Sequence, residues 1–476
     1  MLNHTKHYIN GEWVDSTGSD TIEVINPATE EVIGKISSGT EEDVNQAVQA
    51  AKEAFPSFSQ MPVDDRVKLL ENIAKEYENR KDDLVKIMTE ELGSPITKSE
   101  QIHYQMGLAH FKQAAEELKT FQFTEERDNS YIIKEPIGVS GLITPWNFPT
   151  NQISTKLASA LAAGSTLVVK PASQTPFAAI IIAEIFDKVG VPKGVFNLVN
   201  GSGSVVGEAI SSHPDIDFVS FTGSGAVGSS IMKNAAEDIK NVSLELGGKS
   251  PLVILKDADV KEAARTALTQ IATNTGQVCA AATRVIVPEE MHKDFIQAMK
   301  ELVTEFPVGD PQDKNTFTGP QVSEEQWKTV QSYIKKGEEE GATLAIGGPG
   351  RPDGIDKGFF SKITVFTNVQ NDMTIAQEEI FGPVMSVITY KVLDEAIEIA
   401  NDTVYGLAGY IVGNDKEELK KVASSIRAGQ IRINNSKSDL SAPFGGFKQS
   451  GIGREWGNYG IEEFMEPKAI MGMPSN

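Results

Sequence analysis

Residues 218–236 read FVSFTGSGAVGSSIMKNAA, and this stretch decides the fold. Phe218–Thr222 is a short run of apolar, β-branched and aromatic residues of strand length, and Ser229–Ala236 has a helical pattern. Between them, Gly223-Ser224-Gly225-Ala226-Val227-Gly228 fits G-x-G-x-x-G. After a strand and before a helix, such glycines let the backbone approach a pyrophosphate. The helix N-terminus then offers unpaired N–H groups and a partial positive charge. Taken alone, the string fits a plain tight turn equally well.

The segments on either side repeat the strand–helix alternation. Val139–Ile143, Thr166–Lys170 and Val195–Val199 read as strands upstream, with a helix over Phe177–Val189, and Val242–Leu246 follows downstream. A second series starts near Pro251: strand Leu252–Leu255, a helix from Val260, strand Thr283–Val287 and a helix from Glu289. Alternation of this kind implies an α/β fold of parallel sheets with helices on both faces, divided near residue 247. Further upstream, Tyr8-Ile9, Asn10-Gly11 and Trp13-Val14 predict a hairpin with a primed turn. Two helices follow it, one capped by Thr40 and one carrying Val67, Leu70, Ile73, Ala74 and Tyr77 on a single face.

Composition excludes several function classes. A chain of 476 residues exceeds one ordinary core, and 40% hydrophobic with 23% charged residues is the balance of a soluble globular protein. No apolar run is long enough for a membrane span, and the N-terminus lacks the basic and apolar regions of a secretory signal. A net charge of −22 repels nucleic acid and anionic membrane surfaces, so neither is expected as a partner. One cysteine forms no intrachain disulfide, which fits the cytoplasm, and six scattered histidines suggest no metal site.

Four residues carry candidate chemistry. Glu245 lies where a ribose-binding acid would follow the glycine turn, about 20 residues on. It also stands between Leu244 and Leu246, before Gly247-Gly248, where desolvation would suit a general base. Cys279, in NTGQVCAA, has small polar neighbours that leave room around a nucleophilic sulfur, although a lone thiol is usually a small buried apolar group. Asn147, in TPWNFP, is either an oxyanion donor or the cap of the next helix. Lys170 ends a strand, where open α/β sheets bind ligands.

Collinear strings place these residues together. TPWNFP at 144–149, VVKPASQTP at 168–176, FTGSGAVG at 221–228, LELGGKSP at 244–251, GQVCAA at 276–281, EEIFGPV at 378–384 and PFGGFKQSGIGRE at 443–455 resemble, in order, the motifs of the aldehyde dehydrogenase superfamily. The resemblance implies oxidation of a small-molecule aldehyde to an acid with NAD(P). Cys279 would be the nucleophile, Asn147 the oxyanion donor and Glu245 the general base, with Lys156 and Glu455 as a proton relay. For the cofactor it implies Lys170 and Ser173 at the adenosine ribose and Gly223, Ser224 and Gly228 at the pyrophosphate, with Trp146, Leu246, Glu379 and Phe381 further along it. Phe148, Gln152, Val278 and Phe444 would line the substrate tunnel, together with Thr155.

One departure bears on the cofactor. NAD-preferring members often carry glutamate as the fourth residue of the Lys170 motif, and here that residue is Ser173. NADP is therefore expected to be accepted beside NAD. Thr155 supplies no aromatic cage for a quaternary ammonium, and Arg284 is the lone arginine near Cys279, so small or medium neutral aldehydes are expected. CoA-acylating relatives commonly lack the glutamate that stands here as Glu245. The implied fold is two doubly wound parallel-sheet domains plus a small β oligomerisation element. Residues 1–119 and 139–246 would bind the dinucleotide, 247–446 would be catalytic, and 120–138 with 456–476 would join subunits into a homodimer or homotetramer.

Overall fold

The computed structural model describes residues 2–472. Its first large sheet has eight strands, and five parallel ones form its centre. Their spatial order is Asn241–Glu245, Phe218–Thr222, Val139–Ile143, Thr166–Lys170 and Phe196–Leu198. The chain steps outward twice from Val139–Ile143, then crosses back to lay Phe218–Thr222 against its other side. That reversal opens a crevice beyond the C-terminal ends of the two strands. The inner strands are buried along nearly their whole length, which is why they read as continuous apolar runs.

The predicted hairpin, Lys6–Ile9 with Glu12–Asp15, continues this sheet past Phe196–Leu198. Asn10 and Gly11 turn it with φ of 53° and 74°, as a primed turn requires. Thr40 caps helix Glu41–Phe58 in a reciprocal box with Asp43. Helix Pro149–Ala163 is buried throughout, starts on a proline and stops at Gly164, where φ is 97°.

The second large sheet has seven strands, in the order Thr343–Ile346, Thr364–Thr367, Val384–Tyr390, Arg284–Pro288, Pro251–Ile254, Ala408–Val412, Gln430–Ile433. All its pairings are parallel except that of Thr343–Ile346. Thr124–Arg127, Ser130–Pro136 and Met465–Met471 make a separate antiparallel sheet, and Lys468 pairs with Ile133 in its register. Residues 473–476 of the expected C-terminal element lie outside the described residues. No helix among the described residues is long and apolar enough to cross a membrane.

Three features depart from the sequence reading. The helix after the glycine turn runs Gly225–Asp238, so it begins inside the motif and not at Ser229. Ser224 makes this possible by accepting from Val227 N. Leu2–His4, Thr21–Asn26 and Glu31–Ser37 form a further three-stranded sheet, whose exposed and part-buried residues leave no clear apolar pattern. Gly451–Ile452 pairs with Leu244 and Glu245 at the edge of the eight-stranded sheet, and two residues are too few to show a period.

Candidate active site

The C-terminal edge of the eight-stranded sheet faces the N-terminal edge of the seven-stranded one. Between them lies a cavity of about 250 Å³, lined by Trp146, Asn147, Gly223, Ser224, Glu245, Leu246, Gly247, Cys279, Gln326, Glu379 and Phe381, among others. From the first sheet come the residues that follow Val139–Ile143, Phe218–Thr222 and Asn241–Glu245. From the second come residues that precede Arg284–Pro288 and Val384–Tyr390.

Cys279 owes its position to a backbone that few sequences tolerate. Asn274, Thr275 and Gly276 are consecutive left-handed residues, with φ of 48°, 59° and 70°. For a β-branched residue this conformation is strained and must be held from outside. Thr275 Oγ1 donates to Gly319 O at 3.0 Å, and Asn274 Nδ2 donates to Asn147 O at 2.8 Å. Gln277 Oε1 accepts from Val322 N at 2.9 Å. Burial pushes the Cys279 thiol up to about 12, with the charges of Glu379 and Glu245 adding to the effect. Both causes favour the thiol over the thiolate, so attack needs a base to take its proton.

Asn147 does not cap the helix that follows it; Phe148 occupies the cap without a side-chain bond. The Asn147 amide instead donates to Gln277 O at 3.1 Å, which turns it toward the Cys279 loop. Glu245 is buried at the end of its strand, and neither carboxylate oxygen has a hydrogen-bond partner among the described residues. Burial, and then the negative charge of Glu455, hold its carboxyl well above the usual carboxylate range, while Lys156 and Arg454 pull the other way. Lys156 Nζ lies 2.5 Å from Glu455 Oε1 and 2.8 Å from Ser220 Oγ, inside the protein.

On the opposite wall, Glu379 Oε1 accepts from Gly248 N at 3.1 Å, and burial raises this carboxyl to about 7. Trp146 and Phe381 meet edge to face with centroids 5.2 Å apart. Gly223 and Ser224 line the cavity at the start of helix Gly225–Asp238. Gly228 does not line it: a Cβ there would sit 2.7 Å from Leu246 Cδ2, so this glycine packs its helix onto the sheet. Lys170 and Ser173 also lie off this cavity. Lys170 Nζ donates to Pro171 O at 2.8 Å, Ser173 Oγ donates to Gly201 O at 2.8 Å, and burial lowers the lysine to about 8.

None of the expected tunnel residues lines that cavity. Phe444 stacks on Trp456 at 4.6 Å, and Cys279 packs against this pair. Phe148 stacks on His103 at 4.7 Å. Gln152 and Thr155 follow on one face of the buried helix, while Val278 precedes the cysteine. Arg284 offers no anchor to a charged substrate, because its guanidinium donates to Lys249 O, Ile399 O, Ala400 O and Asn371 Oδ1. Gln326 is a wall residue that the sequence did not single out. It enters from the first turn of helix Glu324–Glu339 and donates to Ile380 O and Phe381 O.

A model described as the aldehyde dehydrogenase family matches residues 13–470. A protein of Staphylococcus haemolyticus, named as an aldehyde dehydrogenase, is 60% identical over 472 residues, covering 99% of each chain. Among solved structures, aldehyde dehydrogenase C of Pseudomonas syringae, in a variant complexed with NAD+ and octanal, is 43% identical with a TM-score of 0.98, covering 99% of this chain and 98% of that one. A Mycobacterium tuberculosis aldehyde dehydrogenase complexed with NAD+ is 42% identical, with a TM-score of 0.96 and coverage of 99% and 98%. A cavity between two sheet edges, holding a thiol and an unpartnered carboxyl, thus sits on a fold and sequence shared along almost the whole chain, and the chain belongs to the aldehyde dehydrogenase family of oxidoreductases.

Proposed function

We propose that this chain oxidises a neutral aldehyde of small or medium size to its carboxylic acid, with NAD as hydride acceptor, through a thioester on Cys279. The observation that carries the reading is that Cys279, Glu245, Asn147, Glu379, Phe381 and the Gly223-Ser224 turn share one cavity. The residues fit a dinucleotide. Gly223 and Ser224 open helix Gly225–Asp238 toward the cavity, and Glu379 keeps a carboxylate oxygen beyond the one that Gly248 N occupies.

The steps follow from the residues. As the Cys279 sulfur attacks the carbonyl carbon, its thiol proton passes to the Glu245 carboxylate in the same cavity and on to the Lys156–Glu455 pair, and charge developing on oxygen meets the Asn147 amide and the backbone N–H of Cys279. The chemistry that a nicotinamide supplies when bound is hydride acceptance. Glu245, unpartnered among the described residues and raised above the usual carboxylate range by burial, is as a carboxylate a stronger base than a solvated one, and in that form it takes a proton from the water that attacks the thioester. Lys156 and Glu455 relay that proton away, and the acid leaves as the thiol is restored. Ser173 carries no charge against a 2′-phosphate, so NADP is accepted as well. Residues 139–246 with the N-terminal segment hold the nucleotide, 247–446 hold the nucleophile, and the small antiparallel sheet joins subunits into a dimer or tetramer in the cytoplasm.

The test is a panel of aldehydes assayed with NAD and NADP, following cofactor reduction and product, with mass spectrometry of Glu245→Gln. That variant should accumulate an acylated Cys279 and stop after about one turnover. Acyl-CoA as the product, or full turnover by Cys279→Ser, would overturn the reading.

A further inference from the structure

Three buried polar atoms beside one helix face are left unused by the proposed steps. His103 Nδ1, Gln152 Oε1 and Thr155 Oγ1 have no hydrogen-bond partner among the described residues, and their residues are 1%, 5% and 2% exposed. Buried polar atoms are seldom kept so unless something else answers them. Helical spacing brings these together. Phe148, Gln152, Thr155 and Ser159 follow at steps of three or four residues, so they share one face of helix Pro149–Ala163 and its cap.

Both ends of that face have fixed neighbours. At the start, Phe148 stacks on His103 at 4.7 Å, and Thr150 Oγ1 donates to His103 O at 2.8 Å. Further along, Lys156 Nζ lies 2.5 Å from Glu455 Oε1, and a Cβ on Gly460 would stand 2.9 Å from Ser159 Oγ. Gln152 and Thr155 lie between these contacts and face the space that His103 and the segment 455–460 enclose. That space adjoins the nucleophile. Trp456 stacks on Phe444 at 4.6 Å, Cys279 packs against the pair, and Asn147 at the head of the helix donates to Gln277 O.

The chemistry of the three atoms narrows what they answer. An alkyl chain would leave all of them unpaired. A carboxylate needs a cation and an ammonium an anion, yet Lys156 and Glu455 already hold each other. Asn151, the other amide on this stretch of helix, is also taken, with His110 Nε2 at 2.6 Å from its Oδ1. A hydroxyl both donates and accepts. Gln152 Oε1 accepts, Thr155 Oγ1 does either, and a neutral imidazole has one nitrogen of each kind; burial keeps the His103 ring neutral by lowering it to about 3. At a rise of about 1.5 Å per residue, Gln152 and Thr155 stand about 5 and 9 Å past the helix start at Pro149. The hydroxyl they suit is therefore several bonds from a carbonyl held at Asn147.

We propose that the aldehyde this chain oxidises carries a hydroxyl at the end remote from its carbonyl, and that Gln152, Thr155 and His103 receive it. Specificity then lies in polar groups that only a hydroxylated chain can satisfy. The inference rests on the reading that Cys279 attacks the carbonyl of an aldehyde seated beside this helix.

The experiment compares n-alkanals with the ω-hydroxyalkanals in which a terminal hydroxyl replaces the methyl, over a series of chain lengths. Cofactor reduction is followed at steady state and referred to the free-aldehyde concentration. At the best length the hydroxyalkanal should exceed its partner in kcat/KM at least about tenfold. Glycolaldehyde, too short to reach Gln152, should gain no such advantage over propanal. Gln152→Met and Thr155→Val keep the side-chain shape and remove the polar atom; each should lower kcat/KM for the preferred hydroxyalkanal about tenfold and cancel its advantage. Alkanals used as well as hydroxyalkanals by the unsubstituted enzyme at every length overturn the inference, and this comparison needs no variant to fold. A variant that loses both substrates in equal proportion, or a stronger preference for ω-aminoalkanals, overturns it too. None of these results touches the reading of Cys279; an enzyme that oxidises neither kind of aldehyde sinks both.

Discussion

Replacing Gly276 with alanine tests whether the backbone ahead of Cys279 positions the chemistry. A Cβ on Gly276 would stand 2.1 Å from Gly382 O and 2.8 Å from Pro383 N, against 3.4 Å for ordinary contact. The shortfall exceeds about 1 Å, and the atoms met are backbone, which cannot swing aside like a side chain. The left-handed φ of 70° adds about 1–2 kcal/mol for any residue with a Cβ. Either the Cys279 loop or the segment carrying Glu379 and Phe381 must retreat, and both line the cavity. A displacement of that size should lower kcat/KM about 100-fold, with a fall in thermal midpoint of several degrees. Gly350→Ala is the control: its φ is 85° and nothing lies within 4 Å of the added methyl. It should lose about 1 kcal/mol of stability and no activity. Steady-state kinetics and thermal unfolding of both variants decide the matter. Gly276→Ala with kcat/KM within about threefold of the parent would refute the reasoning.

The remaining expectations concern charge. Lys170, lowered to about 8 by burial, stays protonated in the unfolded chain up to about pH 10.4, so its contribution to stability rises with pH between those values. Lys170→Met should therefore be more stable than the parent at pH 7, by up to about 3 kcal/mol. That advantage should fade toward pH 10.5, and unfolding at each pH gives the sign directly. Ser173→Glu should reduce NADP use at least about tenfold relative to NAD, through charge repulsion of the 2′-phosphate; equal loss with both cofactors would count against it. Glu455→Gln removes a charge that raises Glu245, so the acidic limb of thioester hydrolysis should move to lower pH in rapid-quench measurements. The same variant strands the Lys156 ammonium inside the protein, at a cost of about 3 kcal/mol in stability.

What the sequence disclosed follows from how local the physics is. Strands such as Phe218–Thr222 and Thr166–Lys170 are buried on both faces, so their apolar runs are written in consecutive residues. The turn at Asn10-Gly11 and the cap at Thr40 are likewise decided within a few positions. The site is not local. Composition alone made Cys279 an inert thiol and left Glu245 between a ribose contact and a base; collinear family strings, not periodicity, gave these residues their roles. Gly228, the third glycine of the phosphate-binding pattern, lies against Leu246, where that pattern asks for close packing of helix on sheet. Gln326 had no signal, because its place depends on where Ile380 and Phe381 present their carbonyls.

The second sheet explains why the motifs fall where they do. Open α/β sheets offer ligands the C-terminal ends of their strands, and the eight-stranded sheet follows that rule. The seven-stranded sheet presents its N-terminal edge, so its contributions come from the residues that lead into strands: Gly247, Cys279, Glu379 and Phe381. Two backbones must then approach each other closely across the cavity. A Cβ on Gly248 would stand 2.5 Å from Cys279 O, and one on Gly276 would overlap Gly382 O. The glycines beside the chemical groups are thus the condition for a thiol, a carboxyl and an amide to converge from two sheets. Mutations at these glycines should impair turnover more than they impair folding, whereas at Gly228 the order should be reversed.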